Sequence, residues 1–250
     1  MNPAAKQTLG LIGFGQFGRL AARHLAGCYA VTIADRENRA AEAVELGAAW
    51  GTLPEAAASD IVLVAVPVAV MRETFAAIAP HVKPGALVLD VASVKVLPVQ
   101  WMIETLPAHA DIVATHPLFG PQSAKDGLEG LRLVLCPIRG ERAHEVKDLA
   151  EAAGLIVSIA TPEEHDREMA YVQALTHLIG RALVNVKIPD EDLKTRSYQH
   201  LLDLCGLIGD DSFELFSAIQ TLNPYASEIA RSFVAEAGDL LDRVHGPKPT

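Results

Sequence analysis

The hydrophobic positions of this chain fall into two regimes, and the change comes at Thr161-Pro162. Before it, short continuous apolar runs alternate with amphipathic stretches. The runs at 9–12, 29–34, 61–66, 86–91, 112–115, 131–136 and 155–159 have the length and β-branched content of strands. The run 61–66 is unbroken, as a strand buried on both faces should be. Between the runs, residues 19–25, 39–46, 68–78, 96–106 and 141–153 show helical spacing. Residues 50–58 read as a short connection, and 116–130 as a loop punctuated by proline and glycine. Strands alternating with helices predict a parallel sheet wound on both faces.

After the change no strand-like alternation remains. Residues 163–187, 191–207, 212–222 and 224–244 read as helices, with start signals at Thr161-Pro162, Asp211-Ser212 and Asn223-Pro224. The expected architecture is α/β, a doubly wound parallel sheet over 1–162 followed by an all-helical domain over 163–250. Four helices of that size bury little alone, so a second copy is expected to cover their apolar faces in a homodimer. The tail from Gly246 to Thr250 is expected to be disordered.

The first strand ends in chemistry. Leu9-Gly10-Leu11-Ile12 runs into Gly13-Phe14-Gly15-Gln16-Phe17-Gly18, a G-x-G-x-x-G spacing, and a helical pattern follows at once. Gly13 permits the tight turn, Gly15 lets a pyrophosphate approach the backbone, and Gly18 lets the helix pack against the strand. The free N–H groups at the helix start then face the phosphates. The second strand ends in Asp35, twenty residues beyond Gly15, where an acid reaches the ribose hydroxyls of a dinucleotide. This is the Rossmann-type arrangement. Asp35 repels a 2′-phosphate and favours NAD; the adjacent Arg36 attracts one and keeps NADP open.

Sites in open α/β sheets lie beyond the carboxyl ends of the strands. Three such ends are unusual: Val66-Pro67, Asp90-Val91-Ala92-Ser93-Val94-Lys95, and Thr115-His116-Pro117-Leu118-Phe119-Gly120-Pro121-Gln122-Ser123. Pro117 biases His116 to an extended backbone, which projects its imidazole at the sheet edge. A histidine is suited to accept a proton there while a hydride leaves. The bland alternative makes His116 a structural histidine and Ser93 a helix cap. In the helical half, Gln173, His177 and Arg181 recur at i, i+4 and i+8 on an otherwise apolar helix, so they form either a buried inter-helix network or the wall of a wet cleft. Gly180 beside them implies a close approach. Thr195, Arg196 and Tyr198 lie at a helix start, either as a solvated face or as carboxylate binders.

Composition narrows the partners. Half of the 250 residues are hydrophobic, and the net charge of −10 argues against nucleic acid and anionic membranes. Residues 163–250 hold 15 acidic against 8 basic side chains, so an anionic substrate needs local cations there. Cys28, Cys136 and Cys205 fit no metal or redox spacing and suit a reducing compartment. No metal is expected. The N-terminus has no apolar signal region, and the longest apolar run, 61–70, contains Pro67 and is too short to span a bilayer. A cytoplasmic protein is expected.

Over nearly its full length the chain resembles the prephenate/arogenate dehydrogenase family of tyrosine biosynthesis. The stretches that carry the resemblance are the glycine loop 13–18, Asp90 to Lys95, His116 to Ser123, and the segment from His165-Asp166 through Gln173 to His177. The resemblance implies NAD(P)-dependent oxidative decarboxylation of a cyclohexadienol, with a helical dimerisation domain. His116 would accept the hydroxyl proton, and Ser93 would hold that hydroxyl and the cofactor together. Gly13, Phe14, Gly15, Gln16, Phe17, Gly18, Asp35, Arg36, Val66, Pro67 and Ser93 would bind the cofactor. Ser123, Gln173, His177, Arg181, Thr195, Arg196 and Tyr198 would line the substrate pocket.

The chain departs from the family pattern near Cys205-Gly206-Leu207, where many prephenate-using members carry a carboxylate-clamping arginine. Arg196 or Arg181 would have to substitute. No C-terminal regulatory domain is expected, nor feedback by tyrosine through one. Two alternatives stand beside this assignment. One is a β-hydroxyacid dehydrogenase or pyrroline-carboxylate reductase type, which would place a lysine or a serine/threonine pair on the first long helix. The other is a non-catalytic pyridine-nucleotide sensor, which would not need His116.

Overall fold

A computed structural model describes residues 6–209 and 211–246. The expected disordered tail lies outside the described residues from Pro247 onward. The chain divides into two compact units, Met1–Pro162 and Glu163–Thr250.

In the first unit the apolar runs form an eight-stranded sheet. Its elements are β1 (Thr8–Ile12), α1 (Gln16–Leu25), β2 (Ala30–Ala34), α2 (Ala40–Glu45), β3 (Ala49–Trp50), α3 (Leu53–Ala57), β4 (Ile61–Val64), α4 (Val68–Ile78), β5 (Leu87–Asp90), α5 (Val96–Thr105), β6 (Asp111–Pro117), β7 (Arg132–Arg139), α6 (Ala143–Ala152) and β8 (Ile156–Ile159). The strand order is β3-β2-β1-β4-β5-β6-β7-β8. β4 and β5 are buried at every position, β4 as its unbroken apolar run requires and β5 with a buried aspartate, Asp90, at its end. The chain order reverses direction beside β1, and this switch point is where such sheets bind ligands.

Two expectations need correction. The sheet is parallel only through β6: β7 runs antiparallel to β6, and β8 pairs parallel with β7. The connection 118–131 contains no helix, and without a crossover element the chain returns antiparallel beside the strand it has just left. Residues 50–58 are also more than a connection. They finish the edge strand β3 and form α3, whose N-cap Thr52 exchanges capping-box hydrogen bonds with Glu55. An ideal Cβ on Gly10 would lie 1.8 Å from the Ala56 carbonyl oxygen, so the bare glycine lets α3 settle onto β1.

The second unit consists of α7 (Pro162–Met169), a π-helical segment (Ala170–Leu175), α8 (Thr176–Val186), α9 (Arg196–Ile208), α10 (Phe213–Leu222) and α11 (Ala226–His245). The expected single helix over 163–187 is therefore interrupted by a wider turn. Gly180 meets α9 closely: a Cβ there would lie 2.6 Å from Ile208 Cδ1. A buried network ties α7 to the junction of α10 and α11. His165 Nδ1 lies 2.8 Å from Asp166 Oδ1, Asn223 Nδ2 donates to the Asp166 carbonyl at 2.7 Å, and the Tyr225 N–H donates to Asn223 Oδ1.

Candidate active site

The glycine loop has the geometry its spacing predicts, with a different physical reason at each glycine. Gly13 adopts φ +98, and a Cβ there would strike the Ala65 carbonyl oxygen at 2.5 Å. A Cβ on Gly18 would meet the Gly13 carbonyl oxygen at 2.1 Å, which is the close strand–helix approach. Gly15 meets nothing within 4 Å. Its missing side chain therefore leaves open space at the N-cap of α1, a cradle that a bound phosphate fits. Asp35, at the end of β2, accepts the Phe14 N–H at 2.5 Å through Oδ2 and the Glu37 N–H at 3.0 Å through Oδ1. Arg36 beside it is exposed, as are Gln16 and Pro67.

One loop residue differs from expectation. The Phe14 ring is buried in the core, edge-on to Trp50 and beneath Arg19, so only its backbone remains beside the cradle. Phe17 is half-buried and contacts Phe119, with ring centroids 6.3 Å apart. That contact brings the loop after β6 against the first turn of α1. Val66 lies past the end of β4, and its Cγ1 would be 2.9 Å from a Cβ on Gly13.

β6 extends two residues beyond the expected end, and His116 sits within it opposite Val134 of β7. Alternation along the strand puts Ala114 and His116 on one face and Thr115 and Pro117 on the other. Ala114 packs with Val99 of α5, while Thr115 and Pro117 line an apolar cavity of about 310 Å³ between α1 and α6. His116 is only 3% exposed. Past the end of β5 its strand is carried by the ladder with β7, and on the other side Asp90 Oδ1 accepts the Thr115 N–H at 3.1 Å. Ser93 lies half-buried in the turn that follows β5. Two neighbours that sequence reasoning left without a role, Asp90 and Lys95, are fully buried and joined at 2.5 Å. A lysine five residues after a strand-end aspartate, flanked by apolar positions, was the available signal.

The second unit holds the polar line. Gln173 lies in the π segment, and His177 and Arg181 follow on α8. Such wide turns recur at functional sites because they re-aim one side chain against its neighbours. Gln220 Nε2 donates to the Ala174 carbonyl at 2.7 Å and so ties α10 to the wide turn. Gln173 Oε1, His177 Nδ1 and Arg181 Nε are each buried without a hydrogen-bond partner among the described residues. Buried polar atoms cost free energy when unpaired, so three in a row call for partners that ordered water or a bound ligand would supply. His177 Nδ1 stands 3.6 Å from Asp211 Oδ2, too long for a hydrogen bond. Arg181 Nη2 donates to the Asp211 carbonyl at 2.5 Å, and its guanidinium lies over the Phe216 ring. Burial, with help from Arg181, lowers the His177 pKa; Asp211 opposes them.

The other expected substrate binders are less concentrated. Thr195 is the N-cap of α9 and accepts the Tyr198 N–H at 3.2 Å. The Tyr198 hydroxyl donates to the Pro189 carbonyl at 2.7 Å. Both have structural duties, and Arg196 is exposed. Ser123 is exposed on the loop after β6. Among the described residues no cluster of metal-ligating side chains occurs, and no helix is long and apolar enough to cross a membrane.

Comparison with known proteins agrees with this architecture. Residues 20–170 match the family described as prephenate dehydrogenase, nucleotide-binding domain, and residues 161–245 match prephenate dehydrogenase, dimerization domain. The chloroplastic arogenate dehydrogenase 1 of Arabidopsis thaliana is 28% identical over 98% of this chain and 40% of its own length. A probable arogenate/prephenate dehydrogenase of Methanocaldococcus jannaschii is 31% identical over 74% of this chain and 44% of its own. The chain thus spans less than half the length of these curated relatives. The crystal structure of prephenate dehydrogenase from A. aeolicus in complex with hydroxyphenyl propionate and NAD+ superposes with a TM-score of 0.78 at 23% identity, covering 97% of this chain and 92% of that one. With both halves matched in order, the chain belongs to the prephenate dehydrogenase family.

Proposed function

We propose that the protein is an NAD-dependent dehydrogenase that oxidatively decarboxylates a cyclohexadienol, with arogenate preferred over prephenate and tyrosine as the product. The observation that carries this is the row of unpaired buried atoms on Gln173, His177 and Arg181, a polar wall awaiting a polar ring substrate.

The residues of the glycine cradle fit a dinucleotide: open space at Gly15, a helix N-terminus behind it, and the Asp35 carboxylate at the ribose position. Bound there, NAD supplies the hydride acceptor. Asp35, its carboxylate fixed by the Phe14 and Glu37 N–H groups, repels a 2′-phosphate and selects NAD over NADP. The family member from A. aeolicus binds NAD+. His116 takes the proton of the ring hydroxyl as hydride leaves the same carbon, and Ser93 orients that hydroxyl. The ring carboxylate departs as carbon dioxide, its bonding electrons completing the aromatic ring. His177, held neutral by burial, serves as a hydrogen-bonding wall rather than a cation.

Asp211 favours arogenate. The side chain of prephenate ends in a keto acid, and that of arogenate in an amino acid. Arg181 and the Asp211 carboxylate set a cation and an anion beside the same helix face, which complements an amino-acid zwitterion. A keto acid offers no ammonium group to that carboxylate. The protein is also proposed to act as a homodimer through its helical unit. Phe233, Val234, Leu240, Leu241 and Val244 stand exposed on α11, an apolar set that a second copy would cover.

The test is a spectrophotometric assay of nicotinamide reduction with both substrates crossed against both cofactors. Arogenate with NAD should give the highest kcat/KM. No turnover with either substrate would end the dehydrogenase assignment, and a preference for prephenate would end the role of Asp211.

A further inference from the structure

We propose that Asp90, Lys95 and Thr115 form a buried clamp that sets the distance between Ser93 and His116, with Lys95 as its central positioning residue. This role presupposes the proton-transfer chemistry proposed above for His116.

The geometry points to this because the clamp spans the two strand ends that carry those side chains. Lys95 Nζ donates to Asp90 Oδ2 at 2.5 Å and to the Thr115 carbonyl at 2.5 Å. Asp90 Oδ2 also accepts the Ala92 N–H at 2.9 Å, and Asp90 Oδ1 accepts the Thr115 N–H at 3.1 Å. The Thr115 hydroxyl closes the ring by donating to the Asp90 carbonyl at 2.5 Å. Residues 90 and 95 are thus pinned to each other, with Ser93 in the turn between them. Both are pinned to Thr115, whose neighbour in the chain is His116.

Burial explains why the arrangement is more than a fastening. The Lys95 and Asp90 side chains are 0% exposed. A buried ion pair is a poor source of stability, because removing two charges from water costs about as much as their attraction returns. Apolar side chains of the same volume would hold β5 and β6 together as well. What an ion pair with several directed hydrogen bonds adds is geometry. A base and an orienting hydroxyl must be held within about 0.5 Å of their working positions, and a misplacement of about 1 Å can cost on the order of 100-fold in rate.

The experiment uses the full chain and four variants: Lys95→Met, Asp90→Asn, the double variant of these two, and Thr115→Val. Two measurements run side by side, steady-state kinetics and amide hydrogen exchange in the absence of ligand. The clamp predicts that kcat falls about 100-fold in Lys95→Met, while substrate KM and NAD affinity stay within about twofold. The double variant should be no slower than the worse single variant, because the partners act as one unit. Peptides covering 91–95 and 115–119 should exchange faster together, with those of β1 and β4 unchanged. Thr115→Val removes one hydroxyl and strands no charge, so it tests the clamp even where Lys95→Met fails to fold; its kcat should fall about threefold to tenfold.

Unchanged kcat in a folded variant would overturn the proposal, as would independent losses that multiply in the double variant. So would a lower Tm with full activity per folded molecule. If the unaltered protein turned over neither substrate while the two loops still loosened together, the dehydrogenase chemistry would fall, and the catalytic purpose of the clamp with it. Loops that stay rigid in an active protein would remove the clamp alone.

Discussion

Gly18 rests so closely on Gly13 that a Cβ on it would lie 2.1 Å from the Gly13 carbonyl oxygen, while the intervening Gly15 faces open space. The two outer glycines serve packing and the middle one serves a ligand. Gly18→Ala should therefore cost about 1–3 kcal/mol of stability by overpacking, measured by urea unfolding. Gly15→Ala should change stability by less than about 1 kcal/mol yet weaken NAD binding at least about tenfold by titration calorimetry. Equal effects on stability from both would contradict this division.

His116 is held within β6, opposite Val134 of β7. His116→Asn should lower kcat by roughly 10²–10⁴-fold, the usual loss of a general base. NAD affinity should be retained. A variant with normal turnover would require another proton acceptor.

Asp211 offers a substrate switch. Asp211→Asn should lower kcat/KM for arogenate about tenfold or more, the scale of one charged hydrogen bond. The prephenate value should hold or rise. A uniform loss for both substrates would show that the Asp211 carboxylate does not discriminate between them.

The lowered pKa of His177 has a consequence for stability. The unfolded chain protonates this imidazole near the ordinary value of about 6.5, whereas the folded protein resists protonation until a lower pH. Between those two values the unfolded state binds more protons, so acid favours unfolding there. Stability should be unaffected by this group above about pH 7 and should decline as pH drops below about 6.5. His177→Gln should show a shallower decline in Tm over that window. Identical pH profiles would mean that His177 titrates normally.

The exposed side chains of α11 predict assembly. Phe233→Glu combined with Leu241→Glu should convert a dimer to a monomer in sedimentation velocity at micromolar concentration. A monomeric unaltered protein would leave these apolar residues without their proposed partner.

Much of this molecule was legible in the residues themselves, because it depends on neighbours along the chain. The spacing of Gly13, Gly15 and Gly18 encodes a strand, a turn and a helix start within one contiguous stretch, so local sterics suffice. The apolar run that became β4 declares burial on both faces for the same reason, and the helical spacing after Pro162 declares helices. Tertiary structure decided what depends on distant partners. An apolar run has no direction, so only the helix-free return over 118–131 reversed β7. Helical spacing hides a single wide turn, so the π segment under Gln173, which packs against α10 and α11, was visible only in the folded chain. Phe14 shares its stretch with the cradle, yet the neighbouring Trp50 drew its ring into the core. Lys95 and Thr115 stand far apart in sequence, and the pairing of β5 with β6 alone brought that amine to that carbonyl.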